Sequence, residues 1–457
     1  MAKERLLVIG GVAAGMSAAS RARRINPDLE ITVLEKGGYV SYSACGLPYY
    51  LAGLVRDAQE LVVYPPHYFK EKRGIEVLLR HEATEIIPAQ KRVRVLRHDR
   101  GDDIVLAYDH LVIATGGAPA TTIPGSQFSN VHTCNDLAGT MALKKFIQET
   151  APRRAAIIGA GYIGLEVAEA FRSVGLEVTI LERGGGVLEN PEPEIADKVE
   201  ATLAAHGVRL IRRANVREIA SDDAKRASRV LYEEGTLETD LVLLATGIVP
   251  RTELAQAAGI ALGGTGAIAV DERMQTSIPA VYAAGDCVET RHLVTGKPTH
   301  VPLGTTANKQ GRVAGENAAG GSAVFSGIVG TAVTKVFELE VARTGLGEAE
   351  ARAHGFAADS VGITAGSRAK YFGGKSITVK IVFDTRDGRL LGAQMVGEEG
   401  VAKRIDVLAT ALAARMTLNQ MLHLDLSYAP PFAPVWDPIL VAVWEGMKKF
   451  KPRRRSL

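Results

Sequence analysis

Short apolar runs and longer helical patterns alternate along the first part of the chain. Residues 5–9 and 31–34 are runs of aliphatic and β-branched residues, a pattern typical of buried parallel strands. Between them, residues 16–24 are rich in alanine and end in arginine, which predicts a helix closed by Asn26 and Pro27. A strand, a helix and a second strand in this order predict a βαβ unit.

The same pattern returns about 150 residues later. Residues 154–158 predict a strand, residues 165–174 predict a helix with Gly175 just beyond its end, and residues 178–181 predict a further strand. Repetition of a whole unit predicts a duplicated architecture.

Apolar strands that end in tight turns follow each unit. Residues 111–116 and 241–247 both end in Ala-Thr-Gly, and residues 278–286 form a strand that ends in Gly285-Asp286. Asp286 is placed to reach a ribityl hydroxyl or the phosphates of a cofactor. These patterns predict an α/β fold with two Rossmann-like dinucleotide-binding domains.

The turn after the first strand reads Gly10-Gly-Val-Ala-Ala-Gly15. Gly10 permits the tight turn, Gly15 permits close packing of helix on strand, and the helix N-terminus is suited to a pyrophosphate. Glu35, at the end of the second strand, is placed to accept hydrogen bonds from a ribose. Val12 stands at the middle glycine position, so this copy alone is a weak signal of nucleotide binding.

The turn of the second unit matches the full motif through Gly159, Gly161 and Gly164. Glu182 ends the following strand and repels a 2′-phosphate, which favours NADH at this site. Arg183 beside it partly relieves that repulsion, so NADPH stays an alternative. Two motifs of this kind predict two bound nucleotides.

Composition and charge exclude several classes of protein. The 457 residues are 46% hydrophobic and 23% charged, and the net charge of +3 is too balanced for a nucleic-acid-binding protein. No apolar run is long enough to span a membrane. The chain begins directly with a strand, which leaves no room for a signal peptide. The one basic run, residues 448–455, is predicted to be a solvated terminus.

The three cysteines are widely spaced and form neither a disulfide framework nor a zinc site, so no metal is expected and a reducing cytoplasm is favoured. Cys45 precedes Pro48, a residue typical of the first turn of a helix. A cysteine at a helix N-terminus is favoured as the thiolate, the nucleophilic form. Cys134 and Cys287 are predicted to be structural.

Taken together, the two glycine motifs, the two Ala-Thr-Gly strands and the Ala-Gly-Asp strand resemble those of the flavoprotein pyridine nucleotide–disulfide oxidoreductases. The resemblance covers nearly the whole chain. It implies that the first unit binds FAD, the second binds NAD(P)H, and a third, α+β domain forms a homodimer. The implied boundaries are 1–118 with 248–326 for FAD, 119–247 for NAD(P)H and 327–457 for dimerisation.

The resemblance and the motifs together assign the cofactor-binding residues. They lie in the glycine turns, at the strand ends and in the Ala-Thr-Gly and Gly-Asp turns: Gly10, Gly15, Glu35, Thr115, Gly116, Gly285 and Asp286 for FAD, and Gly159, Gly161, Gly164, Glu182 and Gly247 for NAD(P)H.

The segment around Cys45 resembles the single-cysteine branch of the family, which includes coenzyme A-disulfide reductases, persulfide reductases, and NADH oxidases and peroxidases. Val40 stands where two-cysteine members have their other cysteine. A lone cysteine works through a mixed disulfide or through sulfenic acid. Peroxidases and water-forming oxidases carry a histidine where this chain has Ala13, which weakens the sulfenic-acid alternative.

The segment 423–432 resembles the Tyr-Ala-Pro-Pro-Phe segment of coenzyme A-disulfide reductases, in which the tyrosine reaches the cysteine of the other subunit. Tyr428 takes that position, and a phenol can protonate a departing thiolate. Tyr371 is a second, less similar candidate. Ser41 is expected one helical turn before Cys45, if that stretch is helical, where its hydroxyl can bind the sulfur.

Coenzyme A carries phosphates, so its channel is expected to be basic. The candidates lie on the first helix, beyond the cysteine helix and in the 308–312 segment: Arg21, Arg24, Lys70, Asn308, Lys309 and Arg312.

These features predict an FAD-dependent NAD(P)H reductase of coenzyme A disulfide or coenzyme A persulfide that works through a Cys45 mixed disulfide. Two alternatives remain. One is an NADH oxidase that forms hydrogen peroxide. The other is a redox-sensing flavoprotein, which two intact nucleotide sites disfavour.

Overall fold

A computed structural model of the chain describes residues 3–120, 122–188, 190–222 and 225–450. The basic run that starts at Lys448 is described only as far as Phe450, and the rest of the predicted solvated terminus lies outside the described residues. None of the helices in these ranges is both long enough and apolar enough to cross a membrane.

The strands and helices fall into three stretches of the chain. Those before the second unit are β1 (Arg5–Ile9), α1 (Ala13–Ile25), β2 (Glu30–Glu35), α2 (Leu47–Leu51), α3 (Pro66–Arg73), β3 (Ile75–Leu79), β4 (His81–Ile87), β5 (Arg92–Arg97), β6 (Asp102–Ala107), β7 (His110–Ile113) and β8 (Gly117–Pro119). The second unit and its return contain β9 (Val131–His132), α4 (Leu137–Thr150), β10 (Arg154–Ile158), α5 (Tyr162–Ser173), β11 (Glu177–Glu182), α6 (Pro193–Ala205), β12 (Val208–Arg212), β13 (Val216–Ala220), β14 (Arg229–Tyr232), β15 (Gly235–Glu238), β16 (Leu241–Leu244) and β17 (Ile248–Pro250). The remaining elements are α7 (Glu253–Ala257), β18 (Val281–Ala283), β19 (Thr290–Arg291), β20 (Pro298–Thr299), α8 (Gly304–Ala318), β21 (Ala332–Val336), β22 (Leu339–Gly345), α9 (Glu348–Ala353), β23 (Ala358–Gly366), β24 (Ser376–Asp384), β25 (Leu390–Gly397), α10 (Val401–Ala413), α11 (Leu418–Leu422) and α12 (Pro438–Lys449).

The first sheet is parallel and has the strand order β18-β7-β1-β2-β3. Its central strand β1 is buried along four of its five residues, as its apolar run predicts. Helix α8 comes from far along the chain and packs directly on α1. A Cβ at Gly311 or Gly315 would lie 2.2 Å or 2.1 Å from a backbone oxygen of α1, so only glycine permits this approach.

The second sheet repeats the first with the order β12-β11-β10-β16-β9, again parallel. The predicted strand–helix–strand unit is present as β10, α5 and β11. Gly175 has a φ of +90° just beyond α5, the conformation expected of a glycine that ends a helix.

The chain crosses from the first sheet to the second and later crosses back, and the two crossing segments lie side by side. Strand β8 leaves the first sheet and β17 returns from the second, and the two pair antiparallel with Pro119 opposite Ile248. Because β18 then joins the first sheet beside β7, that sheet is assembled from segments on both sides of the second unit.

The C-terminal part is an antiparallel sheet with the order β21-β22-β25-β24-β23. Helices α10 and α12 bury an apolar stripe against it, and the shared core includes Phe383, Ile405 and Val443. The predicted fold class, two Rossmann-like units followed by an α+β domain, is confirmed.

Candidate active site

The first glycine turn has the geometry that its sequence predicts. Gly10 has a φ of +107°, and a Cβ there would lie 2.1 Å from the Ala114 oxygen. A Cβ at Gly15 would lie 1.8 Å from the Gly10 oxygen, so α1 crosses the end of β1 too closely for any side chain. The packing roles expected of both glycines hold, and their contact with a cofactor stays a prediction.

The second turn repeats this geometry. Gly159 has a φ of +108°, and a Cβ at Gly164 would lie 2.1 Å from the Gly159 oxygen. Gly161 differs, because a Cβ there would meet no described atom within 4 Å and would project into the adjoining cavity. This space is where the motif expects a pyrophosphate to approach the backbone.

The acidic residues at the two strand ends bind their turns in the same way. Glu35 accepts hydrogen bonds from the amides of Gly11 (2.8 Å) and Gly37 (2.7 Å). Glu182 accepts them from Ala160 (2.7 Å) and Gly184 (2.5 Å). A carboxylate has about four acceptor positions, so each retains capacity for the ribose hydroxyls predicted from the sequence.

The two helices that follow the turns are suited to phosphate groups. Among the described residues, no side chain caps the N-terminus of α1 at Val12 or of α5 at Gly161. Uncapped helix N-termini carry free amide donors and the positive end of the helix dipole, which bind phosphate well. The residues present therefore fit a dinucleotide at each turn.

One continuous cavity of about 2720 Å³ connects the two turns. Its lining contains eleven of the residues predicted for the site: Gly10, Glu35, Cys45, Thr115, Gly116, Gly161, Gly247, Gly285, Asp286, Asn308 and Lys309. The predicted cofactor residues Gly15, Gly159, Gly164 and Glu182 lie behind this surface rather than on it.

The turns at the ends of β7 and β18 form part of the cavity wall, and hydrogen bonds fix their positions. The Thr115 hydroxyl donates to the Arg251 carbonyl (2.8 Å), and the Gly285 amide donates to Gln310 Oε1 (2.9 Å). His300 Nε2 lies 2.7 Å from the Asp286 carbonyl oxygen. Burial raises the pKa of the Asp286 carboxyl.

Cys45 lies in a 3₁₀ turn, Ala44–Gly46, directly before α2, whose first turn contains Pro48 as predicted. Its side chain is accessible from the cavity. The expectation that the local environment favours the thiolate is wrong. Burial raises the pKa of the Cys45 thiol, and the negative charges of Glu166 and Asp286 raise it further.

The expected position of Ser41 is also wrong. The helical stretch begins only at Ala44, so Ser41 is not one helical turn before Cys45. Ser41 has a φ of +50°, its amide donates to the Gly11 carbonyl, and its own carbonyl accepts from Val63. It therefore joins the cysteine segment to the first glycine turn, and the basis for a hydroxyl–sulfur contact is gone.

The two predicted catalytic tyrosines lie on the outer surface of the C-terminal domain. Tyr371 is 77% exposed and Tyr428 is 51% exposed, and neither lines the cavity that contains Cys45. Phe432 and Trp436 are exposed nearby. Within one copy of the chain, the tyrosines and the cysteine are thus not brought together.

The candidate ligands for coenzyme A divide into three pairs. Asn308 and Lys309 line the cavity, at the start of α8. Arg21 is instead paired with Glu316 on α8 (Nε–Oε2 2.7 Å), and Lys70 is paired with Glu76 at the surface (3.0 Å). The remaining two basic candidates, Arg24 and Arg312, are exposed and outside the cavity lining.

The other two cysteines are buried, as expected for structural residues. Burial raises the pKa of Cys134 to about 12, so its thiol is not a nucleophile near neutral pH. In the described part of the chain, no group of three or more His, Cys, Asp or Glu side chains is arranged to hold a metal ion.

Glu166, a residue that bears on the chemistry of Cys45, was not singled out from the sequence. Glu166 of α5 lines the cavity, accepts a hydrogen bond from Thr334 Oγ1 (2.8 Å), and has its pKa raised by burial. Its neighbour Glu169 binds the Phe337 amide (2.8 Å) and the Lys335 ammonium. Two acidic residues three apart on one face of a mostly apolar helix were the available signal.

Comparisons with known proteins match both parts of the chain. Residues 4–311 match the family described as pyridine nucleotide-disulphide oxidoreductase, and residues 331–438 match the dimerisation domain of that family.

Three relatives resemble nearly the whole chain. The NAD(P)H coenzyme A polysulfide/persulfide reductase of Pyrococcus horikoshii is 41% identical, over 96% of this chain and 97% of that protein. An NADH oxidase of Methanocaldococcus jannaschii is 34% identical, over 97% and 99%. A coenzyme A disulfide reductase of Staphylococcus haemolyticus is 30% identical, over 94% and 96%. Among solved structures, a NAD-dependent persulfide reductase from A. fulgidus is 43% identical with a TM-score of 0.94, over 97% of this chain and 83% of that chain.

Proposed function

Because this chain belongs to the pyridine nucleotide-disulphide oxidoreductase family, an FAD-dependent family, we propose that it uses NAD(P)H to reduce coenzyme A disulfide or a coenzyme A persulfide. The observation that carries the proposal is Cys45, an accessible thiol on the same cavity as both glycine turns. The persulfide and disulfide reductases among its relatives support the substrate class.

We propose the domain division that the sequence predicts. We assign residues 1–118 with 248–326 to FAD, 119–247 to NAD(P)H and 327–457 to dimerisation. The paired strands β8 and β17, where the chain crosses between the sheets, support the two inner boundaries. The addition of β18 to the first sheet supports a discontinuous FAD domain.

When bound at the first turn, FAD supplies the carrier through which two electrons pass from the nicotinamide to a disulfide. The backbone of α1, Glu35 and the turn of Asp286 are the groups that would hold FAD. Gly161 and the N-terminus of α5 would admit the pyrophosphate of NAD(P)H.

The cycle of Cys45 requires no base. Two electrons cleave the mixed disulfide between Cys45 and coenzyme A, which yields two thiolates, and one leaves with a proton as coenzyme A thiol. The Cys45 thiolate attacks the next disulfide, forms the mixed disulfide again and expels a second thiolate. The sum is one NAD(P)H and one proton consumed for two thiols formed.

The raised pKa of Cys45 suits this cycle. The reductive step delivers the thiolate directly, so deprotonation of a thiol is not needed. A thiolate with a higher pKa is also intrinsically more nucleophilic toward a disulfide. The charges of Glu166 and Asp286 destabilise the Cys45 thiolate and therefore favour its attack on the next disulfide.

Tyr428 is proposed to protonate the departing thiolate from a second copy of the chain. It lies on the surface of the domain that matches the family's dimerisation domain, away from the Cys45 cavity of its own copy. Tyr371 lies on the same surface and is proposed to assist. The active protein is accordingly a homodimer in which each site combines residues of both subunits.

Lys309 and Asn308 are the best-placed of the predicted ligands for coenzyme A, because they line the cavity. Glu182 favours NADH at the second turn, and the exposed Arg183 beside it permits NADPH. A reductase of small disulfides that consumes NAD(P)H fits the cytoplasmic location expected from the cysteine pattern.

An NADH oxidase that forms hydrogen peroxide is the second candidate, favoured by the 34% identical oxidase. Ala13 lines the cavity at the position where a histidine marks water-forming members, which leaves peroxide as the product of any oxygen reaction.

Anaerobic turnover tests the proposal. We expect NADH consumption with coenzyme A disulfide or a coenzyme A persulfide, and turnover only with oxygen would favour the oxidase. The mass of the non-reduced protein is the second test. We expect an adduct of coenzyme A size that the Cys45→Ser variant lacks, and a bare thiol or a sulfenic acid would contradict the mixed-disulfide cycle.

A further inference from the structure

The C-terminal domain contains a buried guanidinium, that of Arg404. Arg404 of α10 is 9% exposed, and its three nitrogens have three different partners. Nε donates to Asp437 Oδ2 (2.8 Å), Nη2 to the Ser367 carbonyl (2.8 Å) and Nη1 to the Gly400 carbonyl (3.2 Å). One side chain thus joins the start of α10 to the segments that flank both tyrosines.

The two flanked segments also contact each other. The tyrosine-371 loop, residues 367–375, is closed at its base by Ser367, whose Oγ accepts from the Lys375 amide (2.8 Å). The tyrosine-428 segment, residues 428–432, leads directly to Asp437. The Ala369 amide donates to the Pro430 carbonyl at 3.3 Å. The aromatic side chains of both segments remain exposed while their backbones are tied together.

The path of Arg404 depends on the glycine beside it. Gly400 has a φ of +74°, and a Cβ there would lie 2.4 Å from Arg404 Nη1. Gly400 therefore provides both the turn and the space that the guanidinium occupies. Asp437 in turn caps α12, since its other oxygen accepts from the Ile439 amide (3.0 Å).

We propose that Arg404, fixed by Asp437, is a positioning residue that sets the geometry of Tyr428 and Tyr371 for thiolate release in the other subunit. This inference rests on the proposed function of the two tyrosines. Arg404 does not line the cavity that contains Cys45, and it acts by fixing the backbone before one tyrosine and after the other. A rigid, planar fork with fixed donor directions can hold three separate acceptors, which a lysine ammonium cannot do in this geometry.

The test uses Arg404→Lys and Asp437→Asn in the holoenzyme. Asp437→Asn keeps an acceptor for the α12 amide but removes the charge that holds Arg404, so it tests the pair even if Arg404→Lys folds poorly. The matched control is Lys380→Gln, which breaks an equally buried ion pair between β24 and the residue before α6: the side chains of Lys380 and Glu192 are 11% and 10% exposed, against 11% and 11% for Arg404 and Asp437.

Two half-reactions separate positioning from folding. We expect both variants to reduce coenzyme A disulfide about 10- to 100-fold more slowly, the range that a small misplacement of catalytic groups produces. We expect anaerobic reduction of the bound flavin by NADH to keep the wild-type rate, because the tyrosines take no part in it. Lys380→Gln is expected to change neither rate.

Combining the substitutions shows whether Arg404 acts through the two tyrosines. In a Tyr371→Phe, Tyr428→Phe background, adding Arg404→Lys should slow disulfide turnover no further, because its targets are already gone. Equal loss in both backgrounds, or a matching loss of flavin reduction, would mean a purely structural role and overturn the proposal. If Tyr428→Phe alone leaves turnover unchanged, the assignment of the tyrosines fails together with this inference. If Tyr428→Phe slows turnover but Arg404→Lys and Asp437→Asn do not, only the role of Arg404 is wrong.

Discussion

Glu166 of α5 accepts a hydrogen bond from Thr334 of β21, at 2.8 Å, across 168 residues of sequence. The contact fixes a carboxylate of the second nucleotide-binding unit on the first strand of the C-terminal sheet. It also places a negative charge in the cavity of Cys45, where that charge raises the pKa of the thiol. The pKa of Cys45, raised first by burial, is thus raised further by a carboxylate from a distant part of the chain.

Replacement of Glu166 by Gln should lower the pKa of Cys45. The carboxylate disfavours the thiolate, and a neutral amide of the same shape removes that effect while still accepting from Thr334. In protein reduced to free the Cys45 thiol, a larger share of Cys45 is then ionised at neutral pH, so alkylation by iodoacetamide should be faster and its pH profile should move to lower pH. Glu169→Gln is the control, because Glu169 binds Phe337 and is not among the charges that act on Cys45. An unchanged profile in Glu166→Gln would contradict the electrostatic account.

Cys45→Ser should abolish disulfide reduction, with a loss of about 1000-fold or more expected for removal of a covalent nucleophile. Reduction of the flavin by NADH should remain, since Cys45 takes part only after it. Stopped-flow absorbance of the flavin and steady-state NADH consumption measure the two steps separately. Cys134→Ser is the matched control and should turn over normally, because that thiol is buried.

Mixed dimers should show whether Tyr428 acts across subunits. A hybrid of one Cys45→Ser subunit and one Tyr428→Phe subunit contains one site with both groups intact. Random mixing of the two inactive proteins should therefore recover about a quarter of the wild-type activity, since half of the dimers are hybrids with one working site. Mixing the Tyr428→Phe protein with a variant that carries both Cys45→Ser and Tyr428→Phe should recover no activity. Absence of recovery in the first mixture would place Tyr428 and Cys45 in the same subunit.

Gly161 and Gly164 should respond differently to alanine. At Gly164 a Cβ would lie 2.1 Å from the Gly159 oxygen, so Gly164→Ala should cost about 1–3 kcal/mol of unfolding free energy. At Gly161 the Cβ enters open space, so stability should be unchanged while the KM for NADH rises about tenfold, equivalent to about 1.4 kcal/mol. Thermal unfolding and steady-state kinetics measure the two effects. A destabilised Gly161→Ala protein would show that this position is packed after all.

Arg183→Ala should change the choice of nicotinamide cofactor. The guanidinium lies next to Glu182 and is exposed, so it can pair with a 2′-phosphate but has no partner in NADH. We expect kcat/KM for NADPH to fall about tenfold, the value of one charge-assisted hydrogen bond, with NADH unaffected. Equal losses with both cofactors would mean that Arg183 supports the turn rather than the phosphate.

Local features of the chain were predictable, and those that depend on distant contacts were not. The glycine turns at Gly10 and Gly159 follow from short motifs whose residues are fixed by backbone sterics. The raised pKa of Cys45 comes from burial in the folded chain and from charges such as that of Glu166, 121 residues away in sequence, and no local pattern contains that information. Ser41 was misplaced for a related reason, because its left-handed backbone is imposed by hydrogen bonds to Gly11 and Val63.

The order in which the chain supplies its strands has a consequence for biosynthesis. All five strands of the second sheet lie between residues 131 and 244, whereas the first sheet receives β18 only at residues 281–283 and α8 only at 304–318. A growing polypeptide thus completes the second unit while β7 is still an unpaired edge and α1 is uncovered. The domain that begins first is therefore completed only after the second, and until β18 is made the open edge of β7 is exposed to pairing with other chains.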